Sequence, residues 1–387
     1  MNTVLKTSTK LKGLLQTNPT GRHVSLYLPT HPSSRSETIN EDSARFKSLL
    51  KDIKNTPDLH RHDQQVFSTI EKLEKLITDR TFWSKQTAGL AIFANDKQQH
   101  IFHLPFEVTQ QSFVSNKFIL TPLLAMQSMV EEVYLLEVNL KQPKLYHATA
   151  SQLTRCTDAD LPASLEEALQ LDEVQQMQQF HSGEGHGRAM FHGHGGADDH
   201  KDKDIETYLR YLAKKVDIYL SDKKLPLLLV GTKPRTTSLR KKIAYKHTTK
   251  QEITGNFETS QEEKMLLAEV QELFTKKIDQ DQKQLIAEFK SAYGKELAVA
   301  GQAAVDQAAK MDNIKTLLVP MLRKTKDSVR QKTHENYIFD LPNELPNIED
   351  SVRACHATKA EVLPIKIKKT TLDNDVVAIC RYKITLS

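Results

Sequence analysis

The chain has 387 residues, of which 39% are hydrophobic, 27% charged and 6% aromatic; 54 Lys and Arg against 49 Asp and Glu leave a formal net charge of +5. This is a folded-protein composition, and the length suggests two or three domains. No stretch approaches the ~20 apolar residues of a bilayer span, and Met1–Lys12 lacks the apolar core of a secretory signal. The three cysteines (Cys156, Cys355, Cys380) are too few for a disulfide framework or a four-thiolate metal site, so a reducing cytoplasm is expected.

His23–Thr30 alternates apolar and polar residues up to a proline, which predicts a strand running into a loop. Ala44, Phe46, Leu49, Leu50 and Ile53 mark one face of a helix, and Val66, Phe67, Ile70, Leu73, Leu76 and Ile77 mark another. Thr87–Ala94 and His100–Leu104 read as paired strands with Asn95-Asp96 between them. Trp83 is expected in packing, in the core or between domains.

Val133–Leu140 and Lys144–Ala148 predict a second hairpin, turning at Lys141-Gln142-Pro143. The composition then shifts. Residues 181–204 hold six of the 13 glycines and five of the 15 histidines and show no hydrophobic period. A long loop inside a domain is the expected form, and such loops tend to be functional or disordered. A helix over Ile205–Leu220 follows, with Leu209, Leu212, Val216 and Leu220 as its apolar face, and then a buried strand at Leu225–Val230.

Lys223–Gln251 carries nine Lys or Arg and no acid, the strongest charge asymmetry in the chain. Lys233, Arg235, Arg240, Lys241, Lys242 and Lys246 are its candidate phosphate contacts, since Lys and Arg supply affinity for a polyanion; the alternative is a solvated helix face. Arg323, Lys324, Lys326, Arg330 and Lys332 form another basic cluster, on an expected loop. The last third predicts helices at Glu262–Lys277, Gln280–Tyr293, Gln302–Lys310 and Ile348–Thr358, with strands at Thr316–Pro320, Ala360–Ile365 and Val376–Tyr382. Strands alternating with helices argue for α/β packing.

Three segments resemble archaeo-eukaryotic release factors and Pelota. GQAAVDQAAKMDNIKTLLVP (301–320) is similar to that family's helix-then-strand signature; DVVAICRY (375–382) is similar to its closing strand, ending in Arg381-Tyr382; and VSLYLPTH (24–31) followed by SARFKSLLKDI resembles the opening of its bacterial branch. The resemblance implies three mixed α/β domains: residues 1–125 on the decoding-centre side, an RNase-H-like middle domain at 126–250 with the loop 181–204, and a C-terminal domain at 251–387 resembling small RNA-binding ribosomal proteins and docking a GTPase.

In release factors the middle loop ends in Gly-Gly-Gln just before a long helix. Here His194-Gly195-Gly196-Ala197 stands at that place, with alanine for glutamine. The family glutamine helps hold the water that attacks the peptidyl-tRNA ester, and positioning of that kind is a large part of catalysis. Alanine positions nothing, so no hydrolase activity is expected. The family's Asn-Ile-Lys-Ser codon-reading loop is also missing from the N-terminal domain; Asn313-Ile314-Lys315-Thr316 lies in the C-terminal one and reads as coincidence.

By resemblance, then, His186, Arg188, His192, His194, Gly195, Gly196 and Ala197 form a loop for the peptidyl transferase centre, while Tyr27, Thr30, His31 and Arg35 face the decoding centre. The implied partners are the 70S ribosome, through its rRNA, and the GTPase EF-Tu; no cofactor and no membrane are expected. The implied function is ribosome hibernation by occupation of the A site. Two alternatives stay open. One is rescue by peptidyl-tRNA hydrolysis, with a loop histidine in the glutamine's place. The other is metal-dependent RNA binding or nuclease chemistry, with His186, His192, His194 or His200 as imidazole ligands, or Asp198 and Asp199 as carboxylates.

Overall fold

The computed structural model describes residues 9–16, 21–32, 35–55, 63–129, 131–150, 152–170, 197–326, 335–366 and 376–383. The first region contains α1 (Thr9–Gln16), β1 (His23–Pro29), α2 (Ser36–Lys54), α3 (Gln64–Glu74), α4 (Arg80–Trp83), β2 (Gly89–Ala94), β3 (Gln99–Leu104), β4 (Gln111–Ser115) and α5 (Thr121–Gln127). Its antiparallel sheet has the order β3-β2-β1-β4. Val24, Leu26 and Leu28 fall on one face by the two-residue strand period. They pack with Phe46, Leu49, Leu50 and Ile53 of α2, with Val66, Ile70 and Leu73 of α3, and with Trp83. Asp63 starts α3 by accepting the Val66 N–H, the usual N-cap bond. Asn95 Oδ1 closes the β2–β3 turn on the N–H groups of Lys97 and Gln98.

The middle region contains β5 (Glu132–Glu137), β6 (Lys144–Thr149), β7 (Leu153–Arg155), α6 (Ala197–Leu220), β8 (Leu227–Val230), α7 (Lys233–Arg240) and β9 (Thr248–Ile253). Its sheet order is β7-β6-β5-β8-β9. β5, β6 and β7 form an antiparallel meander, while β8 and β9 run parallel to β5. That is the strand order expected of an RNase-H-like sheet. Tyr208, Leu209, Leu212, Ala213, Val216 and Leu220 of α6 are buried with Leu136, Leu227 and Leu229. α6 begins eight residues earlier than the apolar period suggested, because Ala197–Asp204 holds no Pro or Gly to stop it.

α8 (Ser260–Tyr293) is one helix where the sequence reading expected two. Nothing breaks it: Ile278 at the supposed gap is buried, and Asp279 pairs with Lys366. Then come β10 (Ala298–Ala300), α9 (Gln302–Lys310), β11 (Ile314–Lys326), β12 (Glu335–Phe339), α10 (Leu345–Ala357), β13 (Glu361–Lys366) and β14 (Val377–Cys380). β10, β14, β11 and β12 pair in that order, antiparallel throughout, and β13 runs parallel to β11. Residues 323–326, expected in a loop, belong to β11, and Arg323 pairs with Asp340.

Each of the three expected α/β regions therefore holds one sheet. The chain packs as two compact units, Met1–Val130 with Glu272–Ser387, and Glu131–Gln271. Within the first unit one hydrophobic core includes Tyr27, Phe93 and Leu123 together with Leu317, Phe339 and Val352. Thr109 N–H donates to the Phe339 carbonyl at 2.8 Å and Phe339 N–H to that of Glu107 at 2.9 Å. Glu349, 2% exposed, accepts the N–H groups of Leu120 and Thr121 and the Thr121 hydroxyl. Arg353 lies 3.1 Å from Glu349 and donates to the carbonyls of Leu14, Leu15 and Phe118. Every polar atom of that buried pair is thus directed at a partner, the condition under which a buried ion pair is tolerated.

Candidate nucleic-acid interface

The basic stretch 223–251 folds into the end of α6's connection, β8, α7 and the start of β9. Gly231 leaves β8 at φ +150, where an added Cβ would lie 3.3 Å from the Val138 carbonyl, and Thr232 opens α7, with Pro234 in its first turn. The fold then sorts the six candidates. Arg240 turns inward, donating to the Thr249 carbonyl and lying 3.3 Å from Glu252. Lys242 pairs with Glu206 of α6, which also accepts the Ser238 hydroxyl. Those bonds hold the Glu206 carboxyl below its usual range, Lys242 first and Ser238 second. Arg235 is half-buried, whereas Lys233, Lys241 and Lys246 are exposed, as is Lys250.

The acids that neutralise Arg240 and Lys242 lie outside the stretch, Glu252 just past its end and Glu206 back in α6, so a count confined to the stretch does not find them. The Glu206 bonds place the end of α7 against α6. Glu206 sits nine residues into α6, about 14 Å along the axis from Ala197 at a 1.5 Å rise per residue. Lys241, next to Lys242, therefore stands beside the first half of α6, whereas Lys246 follows Ala244 and Tyr245, whose N–H groups bond to Asp217 near that helix's end.

His186, Arg188, His192, His194, Gly195 and Gly196 lie outside the described residues. Ala197 is the first residue of α6, so the two glycines directly precede a 24-residue helix. Asp198, Asp199 and His200 share its first turns.

Tyr27 corrects an expectation. It is fully buried in β1, donates its hydroxyl to the Ile119 carbonyl at 2.6 Å and packs edge-on against Phe93 and Phe113. Burial, with Glu349 as a lesser cause, raises its pKa well above the tyrosine range. It has no face left for a base. The strand period put Tyr27 on the face opposite Leu26 and Leu28, and the fold covers that face too. Thr30 is buried as well, bonded to the Thr87 carbonyl at 2.8 Å. His31 is half-exposed and held through Nδ1 at 2.8 Å from the buried Asp42, which also accepts the His31 N–H at 2.9 Å. Arg35 is exposed just before α2. Of the four, His31 and Arg35 present side chains to solvent.

Sequence reading passed over a polar cluster at the end of β5. Lys144, 4% exposed, donates to the carbonyls of Phe257 (3.3 Å) and Glu258 (3.2 Å) and to Glu263 (3.1 Å). Tyr146 donates to the same Glu263 oxygen at 2.7 Å. Glu137, 1% exposed, accepts the Phe257 N–H through Oε1 and leaves Oε2 without a partner. Burial raises the pKa of Glu137, against the Phe257 bond and the charge of Lys144. A glutamate closing the apolar run Val133–Leu136 was the available signal. The cationic place among these carboxylates is taken by the chain's own ammonium group. Among the described residues no group of three or more His, Cys, Asp and Glu is arranged to hold a metal, and no helix is long and apolar enough to cross a membrane.

Residues 133–276, the middle unit almost end to end, match the model of bacterial archaeo-eukaryotic release factor family 7. No curated protein matches the chain. Among solved structures, the chain is similar to an archaeal translation termination factor, aRF1, at 15% identity over 96% of each chain with a TM-score of 0.22. It is similar to Archaeoglobus fulgidus Pelota at 10% identity over 77% of this chain and 80% of that one, TM-score 0.33. It is also similar to archaeal Pelota in a ribosome-bound model at 10% identity over 98% and 95%, TM-score 0.37. At these scores the family match, and not the whole-chain likeness, bears on function.

Proposed function

We propose, from the match of residues 133–276 to the model of bacterial archaeo-eukaryotic release factor family 7, that the protein binds the ribosome and silences it without releasing peptide. One observation carries the reading: in the family-matched unit, Gly195-Gly196 directly precedes a long helix, and the residue that opens this helix is Ala197 instead of glutamine. The loop keeps the small residues that suit a narrow site and has no amide there to hold an attacking water. Lys233, Lys241 and Lys246 supply affinity for rRNA, so binding weakens with salt. In this reading the loop residues His186, Arg188, His192 and His194 enter the peptidyl transferase centre. His31 and Arg35 lie on the decoding side, and EF-Tu is the delivering GTPase. The role proposed is that of a hibernation factor such as Balon.

The test is co-sedimentation of the purified protein with vacant 70S ribosomes, with and without EF-Tu, followed by an assay for peptide release from P-site tRNA. Binding without release is the expected result. Release that depends on His192 or His194 overturns it in favour of a rescue factor. Failure to bind at moderate salt removes the ribosome from the account.

A further inference from the structure

The Arg381-Tyr382 pair is unused by the reading above. In the first unit, α8, α9 and α10 all end at the same edge of the sheet, and each exits through the same turn. A non-glycine residue takes the left-handed conformation: Glu296 (φ 60), Asp312 (φ 51) and Lys359 (φ 58). Its N–H returns to the carbonyl three residues back, and the next N–H reaches five back: Leu297 to Ala292, Asn313 to Ala308, Ala360 to Cys355. These are the bonds of a Schellman-type helix end.

The segment after β14 is laced to all three turns. Cys380 N–H donates to the Leu297 carbonyl at 2.8 Å and Arg381 N–H to that of Asn313 at 2.7 Å. The Arg381 guanidinium donates to the Thr358 carbonyl at 2.8 Å. Tyr382 exchanges two bonds with the Asn313 side chain through its own N–H and carbonyl. Lys383 pairs with Glu296 at 3.3 Å. Yet Tyr382 is 71% exposed, and Met311 and Tyr293, at the ends of α9 and α8, are 60% and 56% exposed.

The charge at this edge is positive. Lys295, Lys310, Lys315, Lys359, Arg381 and Lys383 stand against Glu288, Glu296, Asp312 and Glu361, and among these described residues only Lys315 and Lys383 form ion pairs with the acids. Three helix C-termini oppose this with about half a negative charge each. Their last carbonyls are already bonded by the turns and by Arg381, so the surplus cations prevail.

We propose that this edge is a docking surface for single-stranded RNA, with Tyr382 and Tyr293 as stacking faces and Lys295, Lys310 and Lys359 as phosphate contacts. Aromatic faces beside lysines suit unpaired bases and their backbone. An acidic protein would use the lysines and leave the tyrosine faces without a comparable partner. The inference needs no ribosome and stands or falls apart from the reading above.

Its test is anisotropy of a labelled 12-nucleotide poly-U RNA with the full chain, over a salt series. The background is Lys233→Glu/Lys241→Glu/Lys246→Glu, which removes the middle-unit surface. Tyr382→Ala is expected to weaken binding about tenfold at unchanged salt slope, the scale of one stacked base. Tyr382 holds Asn313 through backbone atoms alone, so the substitution keeps those bonds; Tyr382→Phe should retain binding. Lys310→Ala/Lys359→Ala is expected to lower the salt slope by about 1.4, at ~0.7 per neutralised single-strand phosphate. RNA binding unchanged in both variants overturns the proposal. So does a poly-glutamate complex that depends on Tyr382 while the RNA complex does not.

Discussion

Arg353 in the first unit and Lys233, Lys241 and Lys246 in the middle one are all basic side chains on or beside helices, but their surroundings are opposite. The Arg353 side chain is 13% exposed, paired with Glu349 and donating to three backbone carbonyls from the N-terminal part of the chain. The three lysines stand in solvent. Desolvation makes the difference. A buried charge must be satisfied by the protein itself and so becomes structure, whereas a solvated one contributes little to stability and stays available to a partner. Arg240 and Lys242 show the intermediate case inside the basic stretch, each drawn to a carboxylate of its own unit.

The sharpest break of that contrast is Arg353→Ala. It leaves Glu349 buried and strips donors from three carbonyls, so urea unfolding should show a loss of about 3–5 kcal/mol. Charge reversal at Lys233, Lys241 and Lys246 together should do the converse. Ribosome or RNA affinity should drop, with the salt slope shallower by about 1 for each phosphate that is no longer neutralised, while the stability stays within about 0.5 kcal/mol of the parent.

Next in size is a pH effect. Burial pushes the Glu349 pKa up to about 7, outweighing Arg353 and the bonds from Thr121 and Leu120. A carboxyl whose folded pKa exceeds its unfolded one binds more protons when folded. Its contribution to stability is therefore greatest below the unfolded pKa and declines as pH rises to about 7, by roughly 3 kcal/mol in all. Urea midpoints at pH 5 and pH 8 measure this, and Glu349→Gln should flatten the difference. Smaller again is Tyr27→Phe, which removes the bond to Ile119 and should cost about 1 kcal/mol, with no change in ribosome binding. If ribosome binding does fall, the buried placement of Tyr27 is the statement to abandon. Smallest is Lys242→Ala: about 0.5 kcal/mol or less of stability for the pair with Glu206, and an unaltered salt slope.

Much of the fold was legible because its signals are local. The period of α2, α3 and α6, the hairpins β2–β3 and β5–β6, and the passage from α9 into β11 each depend on neighbours within a few residues. The break placed near Ile278 failed because a short drop in pattern is no helix breaker without Gly or Pro, and burial of Ile278 held the helix together. The candidate sites were less legible. Tyr27 and Thr30 have the residue types of a base-contacting loop, but the far side of β1 is covered by Phe93, Phe113 and the segment around Ile119. The cluster of Lys144, Glu137 and Glu263 joins residues more than a hundred positions apart, and no spacing rule reaches that far.

The sequence by itself determined the α/β class, the Gly195-Gly196-Ala197 departure and the concentration of cations between Lys223 and Gln251, since these are properties of residue type and local order. Only the tertiary structure decided which cations are spent on Glu206 and Glu252 and which are left exposed. It also joined the first and last parts of the chain through Glu349 and Arg353, and it brought Arg381, Tyr382 and Lys383 onto three helix ends. Burial and pairing across long sequence separations are set by packing, and packing fixes the dielectric and the partners that decide whether a charged side chain holds the fold or meets a ligand.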